Sequence, residues 1–433
     1  KSNRIIQVVE MIVFSLFVVM NNLSGEMKRL NYSSLRFILI VFLMDNQKII
    51  FSILLIMFSF LLACNSLSED FENETEGFME RVEEVTFALD EFSTFEFYNA
   101  KFVLIDDKEF LANLNYINFS LDFYDVEQGK LFHRIKIGRG GPEGVDDIQG
   151  FWFQNQDSIF IFPRFKLHGS TIVNWDGNFV DKLNPPRIPD IPGGILLNHL
   201  STSSTPTFVL DQKIYFMRYP IDNRFLGEDS FESFGSLDLK KNLFEFYEFE
   251  YPSLFYGKKH IMEYYTFSGD FMNDSTFLLS WTISDSVDVY SVNESGVSKI
   301  KSFYASIPEF QAPNSNSLFI TPEMEKQIKF ESFSYGPIKF DPFRNQIHSL
   351  LYLPTQYEPG RHRKENPYLV ADFLILTYDD KFNHLGTTHF KGGIYDPRVF
   401  LVGKKGLFFP RIGQRNQDLK EDEIIFHVFS GTN

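Results

Sequence analysis

Only one of the 433 residues is a cysteine, Cys64. A lone thiol closes no intrachain disulfide and completes no Cys/Cys or Cys/His zinc pattern, so stability has to come from a packed core. Histidine is scattered: the nine positions include no HExxH, and His384 and His389 flank a hairpin strand. Also missing is a GxSxG elbow, and the glycine-rich GRGGPEGV (138–145) has neither the Lys-Ser/Thr of a P-loop nor a strand-to-helix setting. These absences lead us to expect no metal site, no cofactor and no assignable catalytic residue. Lys and Arg number 41 against 57 Asp and Glu, for a net charge of −16. No basic, aromatic-interleaved patch offsets that excess, which argues against a nucleic-acid partner.

What is present begins with MDNQKIIFSILLIMFSFLLAC, residues 44–64. A short segment carrying Lys48 leads into an apolar run over 49–62, then Ala63 and the one cysteine, the order of a secretory signal with a small residue at the cut. Leu61-Leu62-Ala63-Cys64 matches a bacterial lipobox, so 44–63 is expected to be a lipoprotein signal peptide and Cys64 the acylated first residue of the mature protein. The expected location is the cell envelope, with the chain anchored to the outer membrane through Cys64. Two further apolar runs, 5–20 and 37–43, precede this signal, and residues 1–43 read as an over-extended N-terminus ahead of a true start at Met44.

Residues 64–84 are acidic and Ser/Asn-rich and read as a flexible tether. Beyond them helical periodicity nearly vanishes. Short aromatic or β-branched runs alternate with Asp, Asn and Gly turns, the pattern of an all-β protein, and 51 Phe with 19 Tyr favour strands. The runs recur. Residues 150–183 read as four strands in about 35 residues, the size of one propeller blade. Comparable units lie at 100–137, 207–249 and 269–303, then at 338–354 with 371–390, and from 399 to the end. The last unit is one strand short, and residues 85–92 supply an unassigned strand ahead of the first. A six-bladed β-propeller over 85–433, closed by the N-terminal strand, accounts for both, since an open ring would expose an edge. Paired acids such as Asp106-Asp107 fall at turns. The basic segment EPGRHRKENPY (358–368) reads as a solvated insertion.

The lipobox, the acidic tether, and blades such as SIFIF followed by VNWDGNFVDKL resemble the TolB-like six-bladed propeller lipoproteins of Bacteroidetes, in particular domain-of-unknown-function family 4221. The likeness covers about residues 64–433. It implies an architecture and supplies no catalytic residues.

In a propeller the end of each second strand and the loop into the next blade share one face near the axis. Three second strands end in Arg164, Arg218 and Arg411, and two others in Trp281 and Tyr352. The inter-blade loops add Arg139 and Arg398. Guanidiniums beside aromatic faces suit an anionic or glycan ligand, because Arg binds carboxylates bidentately and aromatics stack on sugar rings. The opposing reading pairs each arginine with a neighbouring acid, such as Glu143, Asp146, Asp147 or Asp396, as a strut between blades. The function expected is non-catalytic binding of an anionic small molecule, a glycan or an envelope protein. The alternative is a propeller enzyme, a lyase or hydrolase, acting on extracellular polysaccharide.

Overall fold

Two-residue Asp-Asp and Asp-Gln turns set the registers of the hairpins they join. Asp106 and Asp107 take φ of 49° and 63° between Ile105 and Lys108, and Asp211 and Gln212 take 45° and 62° between Leu210 and Lys213. Both central residues are left-handed, the twist that lets a tight hairpin follow its strands. The computed structural model describes residues 75–431 apart from 189–196, 198, 200, 220–229, 256–259, 294–295, 314–320, 363, 413–415 and 417–418. All lie in the compact unit Glu74–Asn433. The expected signal peptide, Cys64 and the segment 1–43 lie outside the described residues.

Strand is the main regular structure of the described residues, which form five sheets, antiparallel but for one strand pair. Three have four strands in chain order. One runs Ile148–Asn155, Ser158–Pro163, Thr171–Val173 and Phe179–Lys182; the next Phe208–Leu210, Lys213–Met217, Ser230–Asp238 and Leu243–Glu250; the third Phe267–Asn273, Thr276–Trp281, Ser286–Asn293 and Gly296–Tyr304. The fifth repeat supplies Ser334–Asp341, Gln346–Tyr352, Phe373–Asp379 and His384–Phe390, to which Thr75–Gly77 adds an outer strand. The eight-stranded sheet is two four-stranded runs joined at a single parallel pair, Ala88 with Lys130. One run is Ala100–Ile105, Lys108–Asn115, Ser120–Asp125 and Lys130–Lys136, and the other is Leu401–Gly403, Gly406–Pro410, Glu423–Gly431 and Met79–Ala88.

Second strands are covered on both faces, which is why they read as unbroken apolar runs: IFIFP of Ser158–Pro163 is buried at every position. Fourth strands face water, and their sequences alternate or turn polar, as in KLFHRIK. Between neighbouring runs lie six hydrophobic clusters, each shared by two runs consecutive in the chain, with the sixth shared by the first and the last. In that last cluster Phe87 meets Tyr124 and Phe426, each at 5.8 Å in edge-to-face geometry, one of the favoured aromatic arrangements.

Strand Met79–Ala88 pairs with Glu423–Gly431 from Met79 opposite Gly431 to Ala88 opposite Glu423. It therefore begins inside the stretch expected to be tether, and Thr75–Gly77 is also strand. The acidic look of this stretch has a physical cause: Glu80, Arg81 and Glu84 lie on the water-facing side of an outer strand, while Met79, Val85 and Phe87 are buried. The segment 358–368 is likewise not simply solvated. His362 stacks on Phe330 of the helix Pro322–Glu331 with centroids 4.6 Å apart, and Tyr368 packs on Tyr352 at 4.7 Å.

Candidate functional site

Successive side chains of a strand point to opposite faces, so each first strand addresses both of its neighbours. In Ala100–Ile105, Phe102 packs on Phe408 at 4.6 Å, whereas Lys101 turns the other way and lays its Nζ 4.0 Å from the ring centre of Trp152 and 4.9 Å from that of Phe151. Those residues line a cavity of about 490 Å³. Its wall takes residues from all six first strands: Ala100–Ile105, Ile148–Asn155, Phe208–Leu210, Phe267–Asn273, Ser334–Asp341 and Leu401–Gly403.

Four titratable groups line this space: Lys101, Lys339 and Asp270, and the exposed Asp274. Asp270 is held by the backbone, its Oδ1 accepting from the N–H of Phe271 at 3.1 Å and its Oδ2 from that of Phe340 at 3.0 Å. Burial raises its pKa, opposed by Lys339, by those two N–H groups and by Lys101. Burial lowers the pKa of Lys339, with the Asp270 charge acting against the shift. Lys101 is brought down to about 7, first by burial and then by the Lys339 charge, Asp270 opposing. Two half-buried lysines thus share the cavity wall with a carboxylate already held by backbone N–H groups, an arrangement that favours uptake of a further anion.

The segment 201–206 closes one end of the cavity. Ser203 donates its N–H to Tyr98 O at 2.9 Å, Ser204 O accepts from Ser268 Oγ at 2.9 Å and from Gly269 N at 3.2 Å, and Lys339 Nζ donates to Ser203 O. Across from these contacts Ser201 presses on Gly150, where a Cβ would lie 2.2 Å from the serine Cβ and Oγ. Only glycine permits that approach. Thr202 lines both the large cavity and a second one of about 220 Å³, which is walled by the beginnings of the same strands, such as Ser268 and Pro337, where the large cavity takes Asp270 and Lys339.

Of the seven candidates read from the sequence, the structure brings two together, Tyr352 and Arg398, both lining the second cavity. Arg398 is already engaged there: its Nε and Nη2 donate to Asp396 at 2.8 and 2.7 Å, and its Nη2 also to Tyr98 OH at 2.6 Å. Arg218 is buried at 4% exposure, donating to Leu197 O and to the carbonyl and carboxylate of Glu232 at 3.1–3.2 Å, and burial lowers its pKa. Arg164 reaches Gln149 at 3.2 Å and Asp147 at 3.6 Å, and Arg139 lies over Phe119 at 4.4 Å. Arg411 follows Pro410 and donates its N–H to Ile425 O. None of Arg139, Arg164, Arg218 and Arg411 lines either cavity. Trp281 requires correction as a stacking residue: it is wholly buried among Tyr251, Phe255 and Phe267 and offers no open face.

The residues that sequence reasoning missed are Lys101, Lys339 and Asp270. Their signal was a charge inside the apolar first strand of a repeat unit, in AKFVLI, PIKFDP and SGDFMN. An ordinary strand would place such a residue on a solvated face. Here these positions of the first strands face the cavity, and the charge enters it.

Residues 76–388 match the family described as a domain of unknown function, DUF4221. Among solved structures, a member of that family from Bacteroides vulgatus matches with a TM-score of 0.68 at 19% identity, covering 84% of this chain and 99% of its own. A Bacteroides fragilis protein, exported by its description, matches with a TM-score of 0.50 at 12% identity, covering 82% and 96%. At such identities these likenesses speak for the fold alone. No curated protein matches.

Proposed function

The chain belongs to the DUF4221 family, and from that premise we propose that it is a TolB-like, six-bladed propeller lipoprotein of the cell envelope that binds a carboxylate-bearing glycan or related anion in its axial cavity. The six inter-run clusters and the pairing of Met79–Ala88 with the C-terminal strand support the closed ring. The lipobox at Cys64 supports the anchor. The observation that carries the binding reading is the pair Lys101 and Lys339 beside Asp270, whose oxygens are taken by backbone N–H groups, with the second acid, Asp274, exposed. The rest of the protein is acidic, so this cavity is where an anion meets attraction. Trp152, half-buried on the same wall beside Lys101, offers an apolar surface to a sugar ring.

The reading is of binding without glycan cleavage. A hydrolase or lyase acting on polysaccharide would require two carboxyls, or an equivalent acid and base, at matched positions. The carboxylates in the cavity wall are the backbone-held Asp270 and the exposed Asp274. The test is calorimetric titration of the protein with a galacturonate trisaccharide and with the corresponding neutral galactose trisaccharide. The acidic sugar is expected to bind, more weakly as salt rises and at least about tenfold more weakly in Lys339→Met, a loss of about 1.4 kcal/mol. Equal binding of both sugars would reject the reading.

A further inference from the structure

Lys101 differs from the lysines of the protein that are held by acids. Lys108, Lys213, Lys299 and Lys329 each meet a carboxylate: Asp125 at 2.6 Å, Glu245 at 3.1 Å, Asp288 at 2.7 Å, and Glu325 at 2.8 Å together with Glu263. Such partners hold the ammonium charged. Among the described residues Lys101 has no ion pair, and its Nζ lies over the ring faces of Trp152 and Phe151. Its cationic neighbour Lys339 is fixed by the Ser203 carbonyl. A desolvated amine beside a second cation is the setting in which lysine becomes a nucleophile.

We propose that Lys101 captures the carbonyl group of a small 2-oxo acid as a covalent imine, with Lys339 taking the adjoining carboxylate. The proposal rests on the reading of this cavity as an anion site and adds a bond to it. The lone pair of the neutral Nζ attacks the carbonyl carbon, a C–N bond forms, and the carbonyl π pair moves to oxygen, which takes up a proton. The carbinolamine then loses its hydroxyl as water while nitrogen releases a proton, leaving C=N. One water is released, nothing is oxidised or reduced, and hydrolysis reverses the step. Asp270, the cavity carboxyl that interacts with both lysines, is the group assigned to carry the proton. The lowering of Lys101 to about 7 supplies neutral amine at physiological pH, whereas an exposed lysine near ~10.4 is neutral in only about one molecule in a thousand.

The test uses pyruvate as probe with sodium cyanoborohydride at neutral pH, followed by peptide mapping of the purified protein by mass spectrometry. The expected result is a reduced pyruvate adduct at Lys101, formed about a hundredfold faster than at exposed lysines such as Lys299. Pyruvamide, which lacks the carboxylate, should label Lys101 more slowly, and Lys339→Met should abolish that difference while slowing the labelling of Lys101 by both probes. Because the map of the unmutated protein is itself decisive, a variant that fails to fold does not rescue the proposal. Adducts spread over surface lysines without enrichment at Lys101 would overturn it. If galacturonate still titrates in that case, the anion site stands and only the imine falls. If galacturonate also fails to bind, the site itself is refuted.

Discussion

The Nζ of Lys101 sits 4.0 Å from the centre of the Trp152 ring, and the two residues come from first strands of different sheets. The contact ties the charge of the cavity to the packing of one sheet against the next. It also fixes the order in which substitutions should hurt. Lys101→Met keeps the stem over the rings and removes a desolvated charge, so the urea midpoint should be unchanged or higher. Asp270→Ala leaves Lys101 and Lys339 without their carboxylate and should cost roughly 1–3 kcal/mol, a partly exposed version of the penalty for an uncompensated buried charge.

Gly150→Ala should displace the segment that separates the two cavities, because its Cβ would fall 2.2 Å from Ser201. Serine can move only by giving up the packing beside the Ser203–Tyr98 and Ser204–Gly269 bonds. The expected loss is about 1–3 kcal/mol in denaturant unfolding, the usual scale of overpacking. Backbone amides of 201–205 should also exchange faster with solvent deuterium.

Phe87→Ala should destabilise the protein by about 3–5 kcal/mol, since the ring is fully buried between Tyr124 and Phe426 where the first and last runs meet. Removing residues 1–73 should leave the thermal midpoint where it is, whereas removing residues 1–90 should lower it sharply. Equal midpoints for the two truncations would contradict the role given to strand Met79–Ala88.

Acidification should weaken the fold before its carboxylates titrate. His199 is buried, and its pKa is brought down to about 4 by burial, with the Arg218 charge adding to the shift. His348 is lowered as well, by burial against the pull of Asp341. The unfolded chain takes up these protons near 6.5 and the folded chain resists them, so stability is full above about 6.5 and is lost as pH falls from there toward 4. For His199 the loss is on the order of 2–3 kcal/mol. His199→Phe should flatten that limb of the stability curve.

The all-β class was legible because strand alternation and turn chemistry are local: Asp106-Asp107 announces its hairpin without help from the rest of the chain. The pairing of an N-terminal strand with the last run was legible by counting, a spare strand ahead of the first repeat and a missing one in the last. Its true start was hidden, because Glu80, Arg81 and Glu84 face water and imitate a linker. The site was not legible. Arginines at strand ends drew attention, yet Arg218 and Arg398 have their acids at hand. Whether Lys101 is solvated or confined depends on Trp152, 51 positions away on another sheet, and no local pattern records that neighbour.

The most direct measurement is a crystal structure of the protein with a bound galacturonate oligosaccharide. The account predicts a sugar carboxylate within hydrogen-bonding distance of Lys339 Nζ and a pyranose ring against Trp152. An acidic sugar seated instead in the smaller cavity, against Arg398 and Tyr352, with the lysine-bearing cavity unchanged, would contradict it.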